Sequence, residues 1–413
     1  MQRNETSLQP ERGEGFADHG HEAAAHSETE TSMSRTLHPL IRGTAVCVAL
    51  ASLLAGTGIA ATQARSSERS ELQSALDGLV SAGAPGAILL VRNGDRTLRL
   101  ASGYGDVVRK TPMRVDDRFR IASLTKSYVS TVVLQLAAEG KLSLDDSIER
   151  RLPGVVPNGD KITIRRLLNH TTGLFDYEND PSVLKPYLNG NLGYAWAPRR
   201  LVQIALSHKP LFKPGDRYSY SNTNYMIAGL IIEAVTGHRL GSELRHRLFQ
   251  PLHLRSTSFP LTPRVSTPFA HGYYLLGQPP ATDVSGLDPF PWAAGAIVST
   301  ADDVVSFYRA LLSGHLLPPA LLREMKTTVA EGRGQSDIPG QRSGLGLERF
   351  PTPCGDAYGH NGTFPGYLVY AFTSKSGRRQ TLLMVNESAE SLPKRFAPLY
   401  FRLLASAYCQ RTP

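Results

Sequence analysis

Short apolar runs bounded by turn residues stand near both ends of the chain, and apolar residues at helical spacing fill its middle. Ala87 to Val91, Asn93-Gly94 and Thr97 to Ala101 predict a β-hairpin with a tight turn. Tyr367 to Thr373 and Gln380 to Val385 flank Ser374-Lys375-Ser376-Gly377 and predict a second hairpin. Between them, Val129, Val132, Val133 and Leu136 share one face of a helix that follows Ser123. Leu134 and Ala137 fill another side, so this helix is expected to be buried, and Gly140 ends it. A second apolar helix runs from about Tyr225 to Thr236 and stops at Gly237. A third, Ala301 to Leu312, has Ser299-Thr300 ahead and Gly314 behind. Leu392 to Ala407 closes the chain as a helix. The pattern predicts an α+β fold: an antiparallel sheet from both chain ends, flanked by helices, with a mostly helical lobe inserted over about residues 140–290. Asp176 to Arg199 and Thr267 to Pro291 are rich in Pro, Gly and aromatics and read as loops around a cleft.

The first 64 residues read differently. Met33 opens a short basic stretch with Arg35 and Arg42, followed by the apolar run Gly43 to Ala61 and the small-residue site Thr62-Gln63-Ala64. Residues 33–64 thus have the shape of a secretory signal peptide, implying export, or a membrane anchor if uncleaved. Residues 1–32 are acidic and nearly free of large apolar groups, as in a disordered extension or a start assigned too early. Residues 65–413 are left as one domain of two lobes. The leader holds four basic and seven acidic side chains, so the rest carries 41 basic against 29 acidic, a net charge near +12. Such a surface attracts anionic polymers, and without a nucleic-acid motif a wall polymer is a better expectation than nucleic acid. A solvated surface with no bearing on partners is the plain alternative. Cys47 falls in the leader; Cys354 and Cys409 remain, an even count that favours a disulfide in an oxidising compartment over two separate thiols. The twelve histidines show no metal-ligand spacing, and no glycine-rich phosphate loop is present, so neither metal nor cofactor is expected.

Three short motifs carry chemistry: Ser123-Leu124-Thr125-Lys126, Tyr220-Ser221-Asn222 and His360-Asn361-Gly362. They supply a hydroxyl, an amine one helical turn away, a phenol and a further polar strand group, the equipment of serine acyl transfer with Lys and Tyr in place of His and Asp. Each motif recurs by chance. Ser391-Leu392-Pro393-Lys394, Tyr177-Glu178-Asn179, Tyr187-Leu188-Asn189 and Lys375-Ser376-Gly377 match as well. Context selects the first set: Ser123 opens a buried helix, Tyr220 follows Phe212-Lys213-Pro214-Gly215 and precedes another, and His360 precedes the interior strand Leu368 to Phe372. Read singly, Ser123 as an N-cap, Tyr220 as a packed aromatic and His360 as a core histidine are the competing assignments.

Phe119-Arg120-Ile121-Ala122-Ser123-Leu124-Thr125-Lys126, Leu167-Leu168-Asn169-His170-Thr171-Thr172-Gly173-Leu174, Pro214-Gly215 ahead of Tyr220-Ser221-Asn222, Ala294-Gly295-Ala296-Ile297-Val298-Ser299-Thr300 and Gly359-His360-Asn361-Gly362-Thr363 together resemble the class C β-lactamase and D-alanyl-D-alanine carboxypeptidase superfamily, from roughly residue 75 to the C-terminus. His360 in place of the usual Lys, with Cys354 and Cys409, resembles the secreted carboxypeptidases. The resemblance implies a β-lactamase/DD-peptidase-like fold, peptidoglycan stem peptides or other D-amino-acid peptides as substrates, and β-lactams as covalent inhibitors. It also implies an acyl-enzyme on Ser123, an oxyanion site from the Ser123 and Thr363 N–H groups beside Gly362, a substrate amide held by Asn222, and a Cys354–Cys409 disulfide. His170 is expected to brace the structure.

Two expectations concern charge. Bringing a phenol from 10 to about 7 requires roughly 4 kcal/mol, about what one ammonium at ~4 Å supplies at an effective dielectric near 20. A charged Lys126 beside a Tyr220 anion is therefore expected, with His360, mostly neutral, orienting Tyr220; a neutral Lys126 as base is the opposite assignment. A terminal carboxylate calls for Arg, and in the resembling carboxypeptidases an Arg lies shortly before the first cysteine of the disulfide; counting back from Cys354, the resemblance implies Arg349, next to Glu348. Glu348 beside that position, and Asn361 where the carboxypeptidases usually carry Thr, leave an esterase, a D-amino-acid amidase, a β-lactamase or a non-catalytic penicillin-sensing protein as alternatives.

Overall fold

A computed structural model describes residues 66–275, 281–332, 338–394 and 396–410. The readings of residues 1–32 and 33–64 lie outside these. The described residues begin with a helix over 66–81 (α1), followed by a hairpin of strands β1 (Gly86–Asn93) and β2 (Arg96–Asp106). The main helices that follow are α2 (Thr125–Ala138), α3 (Asn222–Thr236) and α4 (Ala301–Leu312). Strands β3 (Ala357–Phe364), β4 (Tyr367–Ser374) and β5 (Arg379–Val385) come next, and α5 (Phe396–Cys409) ends the fold.

These strands build a nine-stranded antiparallel sheet in the order Thr111–Pro112, β2, β1, β5, β4, β3, Glu348–Phe350, Arg342–Ser343, Val329–Ala330. The first hairpin and the last meet at its centre, where Leu89 pairs with Leu383 and Leu90 with Leu382. Both faces of that centre are covered. Ile88, Leu90, Leu382 and Met384 belong to the core shared with the helical lobe, whereas Ala87, Leu89, Leu383 and Val385 pack with Leu72 and Leu76 of α1 and Leu403 and Leu404 of α5. Burial on both faces explains why the central strands read as unbroken apolar runs. Cys354 and Cys409 form a disulfide that joins the turn before β3 to the end of α5.

The sheet, the helical lobe and the three long helices match the sequence pattern, with local corrections. The first hairpin pairs Asn93 with Arg96, so its two-residue loop is Gly94-Asp95, one position later than expected, with Gly94 at φ +62°. Helix α3 starts at Asn222, three residues early, because Asn222, Thr223 and Asn224 are buried despite their polarity. The segment 176–199 is not all loop: Pro181–Leu188 is helical, capped by the Asp180 carboxylate on the Ser182 N–H, with Pro181 in the first turn where its missing donor is harmless. Pro186 sits inside that helix and disguised it as a loop; Val183 and Tyr187, both buried, anchor it.

Candidate active site

Ser123 lies on a single 3-10 turn, Ala122–Leu124, that leads into α2. Ala122 just before it adopts φ +49°, a left-handed conformation that is unfavourable for a residue with a side chain and recurs where function constrains the backbone. Strand β3 passes so close that a Cβ on Gly362 would stand 2.8 Å from the Ser123 nitrogen and 2.9 Å from the Ile121 carbonyl oxygen. Gly362 is therefore the residue that lets sheet and turn touch.

One turn along α2, the fully buried Lys126 Nζ donates to three oxygens: Ser123 Oγ at 2.9 Å, Asn222 Oδ1 at 2.8 Å and the Ala294 carbonyl at 2.8 Å. Tyr220 Oη lies 2.8 Å from Ser123 Oγ, so hydroxyl, amine and phenol meet although 97 residues separate Ser123 from Tyr220. The Lys126 nitrogen also sits 4.9 Å from the centroid of the Tyr220 ring, over its face. Tyr220 itself is stacked on His170, centroid to centroid 4.4 Å. His170 Nδ1 accepts from the Ser221 N–H at 3.1 Å and faces Asn224 Nδ2 at 3.2 Å, which ties the loop before α3 to the ring beneath Tyr220. His170 is a brace.

The electrostatics differ from the expectation. Burial lowers Lys126 from 10.5 to about 8, partly offset by Glu178, Asp176 and Glu348. Tyr220 moves the other way: burial raises it well above 10, helped by Glu348 and Glu178, against the hydrogen bond from Ser123. An ammonium over the ring face stabilises a phenolate less than one beside its oxygen, and the nearby carboxylates oppose the anion. The resting site therefore holds a neutral phenol, not the expected tyrosinate. Burial, then Lys126, pushes His360 down to about 3, and burial keeps His170 well below its usual range, so both imidazoles are neutral.

The other predicted residues separate into two groups. Asn222 lines the cleft, but its amide is engaged by the protein on both sides, accepting from Lys126 and donating through Nδ2 to Asp176 Oδ2 at 3.2 Å. Gly362 and the exposed Thr363 also line the cleft. His360, on β3, is buried; its Nδ1 meets the Asn361 carbonyl and stands 3.6 Å from Glu348 Oε2. No hydrogen bond or ring contact of His360 with Tyr220 is found among the described residues, so the orienting role expected of it falls to His170. Arg349 is placed elsewhere: it pairs with Asp356 at 3.2 Å and does not line the cleft, whereas Glu348 does. Successive strand residues point to opposite sides, so only one of this pair can reach the site. The competing motif matches stay apart from Ser123. Ser391 Oγ accepts from the Leu275 N–H, Tyr187 donates to the Tyr194 carbonyl, Tyr177 donates to Glu178, and Lys375 is exposed at its turn.

The cleft over Ser123 has a volume of about 370 Å³. Leu184, Tyr274, Phe290 and Phe364 supply its apolar walls, and Glu178, Glu331, Glu348 and Glu390 its carboxyl groups, of which burial, then Asp176, pushes Glu178 up to about 7; among the described lining residues there is no Arg or Lys. Sequence reasoning missed Asp176 and Glu178, which sit in the stretch read as loop. Their signal was the Asp176-x-Glu178 start of a short helical turn, whose cap is the Asp176 side chain accepting from the Glu178 N–H.

Comparison with known proteins agrees with this architecture. A structure of a D-stereospecific amidohydrolase from Streptomyces sp. superposes with a TM-score of 0.75 at 35% identity, covering 83% of this chain and 98% of that one. The D-amino acid amidase from Ochrobactrum anthropi SV3 gives 0.74 at 29% identity, covering 82% and 97%. Protein flp of Staphylococcus aureus (strain N315) is 27% identical over 316 residues, which is 75% of this chain but only 61% of that longer protein. PbpX of Bacillus subtilis (strain 168) is 28% identical over 311 residues, 74% of this chain and 71% of that one. The beta-lactamase family profile matches residues 68–400. Spanning most of the described fold, that match makes the chain a member of the beta-lactamase family, within the serine hydrolase superfamily shared with penicillin-binding proteins.

Proposed function

We propose that this protein hydrolyses amides or esters of D-amino acids that carry a free α-amine, through an acyl-enzyme on Ser123. The observation that carries the substrate class is the sign of the cleft: Glu331, Glu348 and Glu390 beside a Glu178 that burial raises to about 7 and, among the described lining residues, no cationic side chain. A free amine on the substrate matches that charge, whereas the terminal carboxylate of a D-alanyl-D-alanine peptide meets none of the Arg partners it needs. The likeness to a D-stereospecific amidohydrolase and a D-amino acid amidase supports the same choice. The carboxypeptidase reading ranks below it, because Arg349 is turned away from the cleft.

In this reading Ser123 Oγ attacks the carbonyl carbon as neutral Lys126 takes its proton. The developing oxyanion is held by the N–H groups of Ser123 and Thr363, each such donor worth a factor of roughly 10² to 10³ in rate. The carbonyl bond to the leaving nitrogen or oxygen breaks as the Tyr220 phenol donates its proton to that atom, and the Lys126 ammonium restores the phenol. Water then attacks the acyl carbon as neutral Lys126 takes its proton, the bond to Ser123 Oγ breaks, and a proton returned to Oγ frees Ser123. The test compares kcat/KM for D-phenylalanine amide, L-phenylalanine amide, N-acetyl-D-phenylalanine amide and a diacyl-Lys-D-Ala-D-Ala peptide. The D-amide with its free amine should be fastest; preference for the acylated peptide would overturn the substrate class. Ser123→Ala should abolish acylation by a fluorescent penicillin without loss of the fold, and full labelling of that variant would remove Ser123 from its role. Export through residues 33–64 is part of the same reading, checked by mass spectrometry of the mature N-terminus.

A further inference from the structure

The helical lobe carries a second concavity, a groove of about 790 Å³ between residues 239 and 261, larger than the cleft and sharing no lining residue with it. Its wall is irregular in an informative way. The helix Leu240–Leu244 runs into a π-helical turn, Arg245–Phe249, and His253 beyond it adopts φ +54°. Such widened turns recur at functional sites because they re-aim side chains. Here the turn sets Arg245 and Phe249 on the groove, while Leu248 enters the core and Arg247 pairs with Glu139 and Glu243.

Charge is the second observation. Arg239, Arg245, His253 and Arg255 line the groove and are exposed, and no acidic residue lines it among the described residues. Among the described residues these three arginines make no ion pair or side-chain hydrogen bond. The carboxylates close by are occupied: Glu243 by Arg247 and His238, Glu233 by the Leu240 N–H, and Asp303 by the Ser256 N–H and the Thr257 hydroxyl. Three guanidinium forks without an ion-pair partner on one groove offer bidentate donors of the kind phosphate oxygens accept. The aromatic residues do not offer base-stacking platforms, since Phe249 is buried and the Phe259 ring lies over Gly241. Leu261, 57% exposed, offers an aliphatic contact instead.

We propose that this groove is a docking site for a polyol-phosphate polymer, held by Arg239, Arg245 and Arg255. It stands independently of the reaction assigned to the cleft. The full chain is titrated with poly(glycerol phosphate) over a range of sodium chloride concentrations, and binding is followed by calorimetry. With three phosphate contacts, log affinity should fall against log salt with a slope of roughly −2 to −3. The triple substitution R239A/R245A/R255A should weaken binding at least about tenfold and flatten that slope, with circular dichroism and the melting temperature unchanged. Arg255→Glu alone should act in the same direction, so a poorly folded triple variant does not block the test. Absence of binding at low salt would overturn the proposal. So would an equal loss on replacing Arg199, Arg217 and Arg323, exposed elsewhere on the surface, because that pattern marks diffuse charge. Equally tight binding of an oligonucleotide with the same number of phosphates would overturn the choice of polymer.

Discussion

Protonation of Lys126 should set the lower pH limit of acylation. Its amine is wholly buried, and the drop from 10.5 to about 8 corresponds to about 3 kcal/mol in favour of the neutral form. At pH 7 roughly one molecule in ten then carries a neutral Lys126, against roughly one in three thousand for an unperturbed lysine. If that neutral amine receives the Ser123 proton, kcat/KM for a substrate that does not itself titrate should rise about tenfold per pH unit below about 8 and level off above it. Stopped-flow release of nitrophenol from a neutral p-nitrophenyl ester reads this directly. Among the charges around Lys126, Glu178 is the strongest that keeps its proton on. Glu178→Gln should therefore move the limb to lower pH and raise the rate at neutral pH with the same ester. A flat profile, a limb near 10, or movement of the limb to higher pH in Glu178→Gln would refute Lys126 as base. Stability gives a check that does not depend on turnover. Because the folded chain releases this proton near pH 8 and the unfolded chain near 10.5, the Lys126 contribution should increase stability as pH rises between those values.

Three further outcomes follow from contacts around the site. Gly362→Ala places a Cβ 2.8 Å from the Ser123 nitrogen, so β3 or the nucleophile turn must shift; acylation should fall by about 10² or more, and overpacking should cost about 1–3 kcal/mol in denaturant titration. His170→Phe keeps a ring beneath Tyr220 but removes the acceptor for the buried Ser221 N–H, which should cost about 1–3 kcal/mol and lower kcat while leaving the acidic pH limb in place. Replacing Cys354 and Cys409 by Ser opens a loop with a sequence separation of 55 and should reduce stability by roughly 4 kcal/mol in the chain-entropy account, with kcat/KM of the folded protein preserved.

What the sequence disclosed and what it hid follow a physical division. The Ser123–Lys126 relation is local, one helical turn, and the apolar spacing of α2 announces the helix that enforces it. The sheet core was equally legible, since Ala87 to Val91 and Leu382 to Val385 are apolar on both faces. Properties that depend on long-range pairing were not. Asn222, Thr223 and Asn224 read as a polar lead-in, yet each is buried because partners from distant segments accept or donate to it: Lys126 and Asp176 for Asn222, the Phe175 carbonyl for Thr223, Thr172 and His170 for Asn224. Polar burial of this kind leaves no periodic trace. The same holds for the ionisation of Tyr220. A one-ammonium argument predicts an anion, but burial of the phenol raises it first, and Glu348 and Glu178 arriving from other elements add to that, while Lys126 faces the ring rather than answering the oxygen. Arg349 and Glu348 show the limit most plainly. Adjacent in a strand, they take opposite directions, and only the fold decides that the carboxylate reaches the cleft while the guanidinium pairs with Asp356. That single strand direction moves the substrate reading from a terminal carboxylate to a free amine, so exchanging the cleft charge through Glu348→Gln should weaken amine-bearing substrates more than their N-acetylated counterparts, measured as a ratio of kcat/KM values; an unchanged ratio would detach substrate choice from this carboxylate.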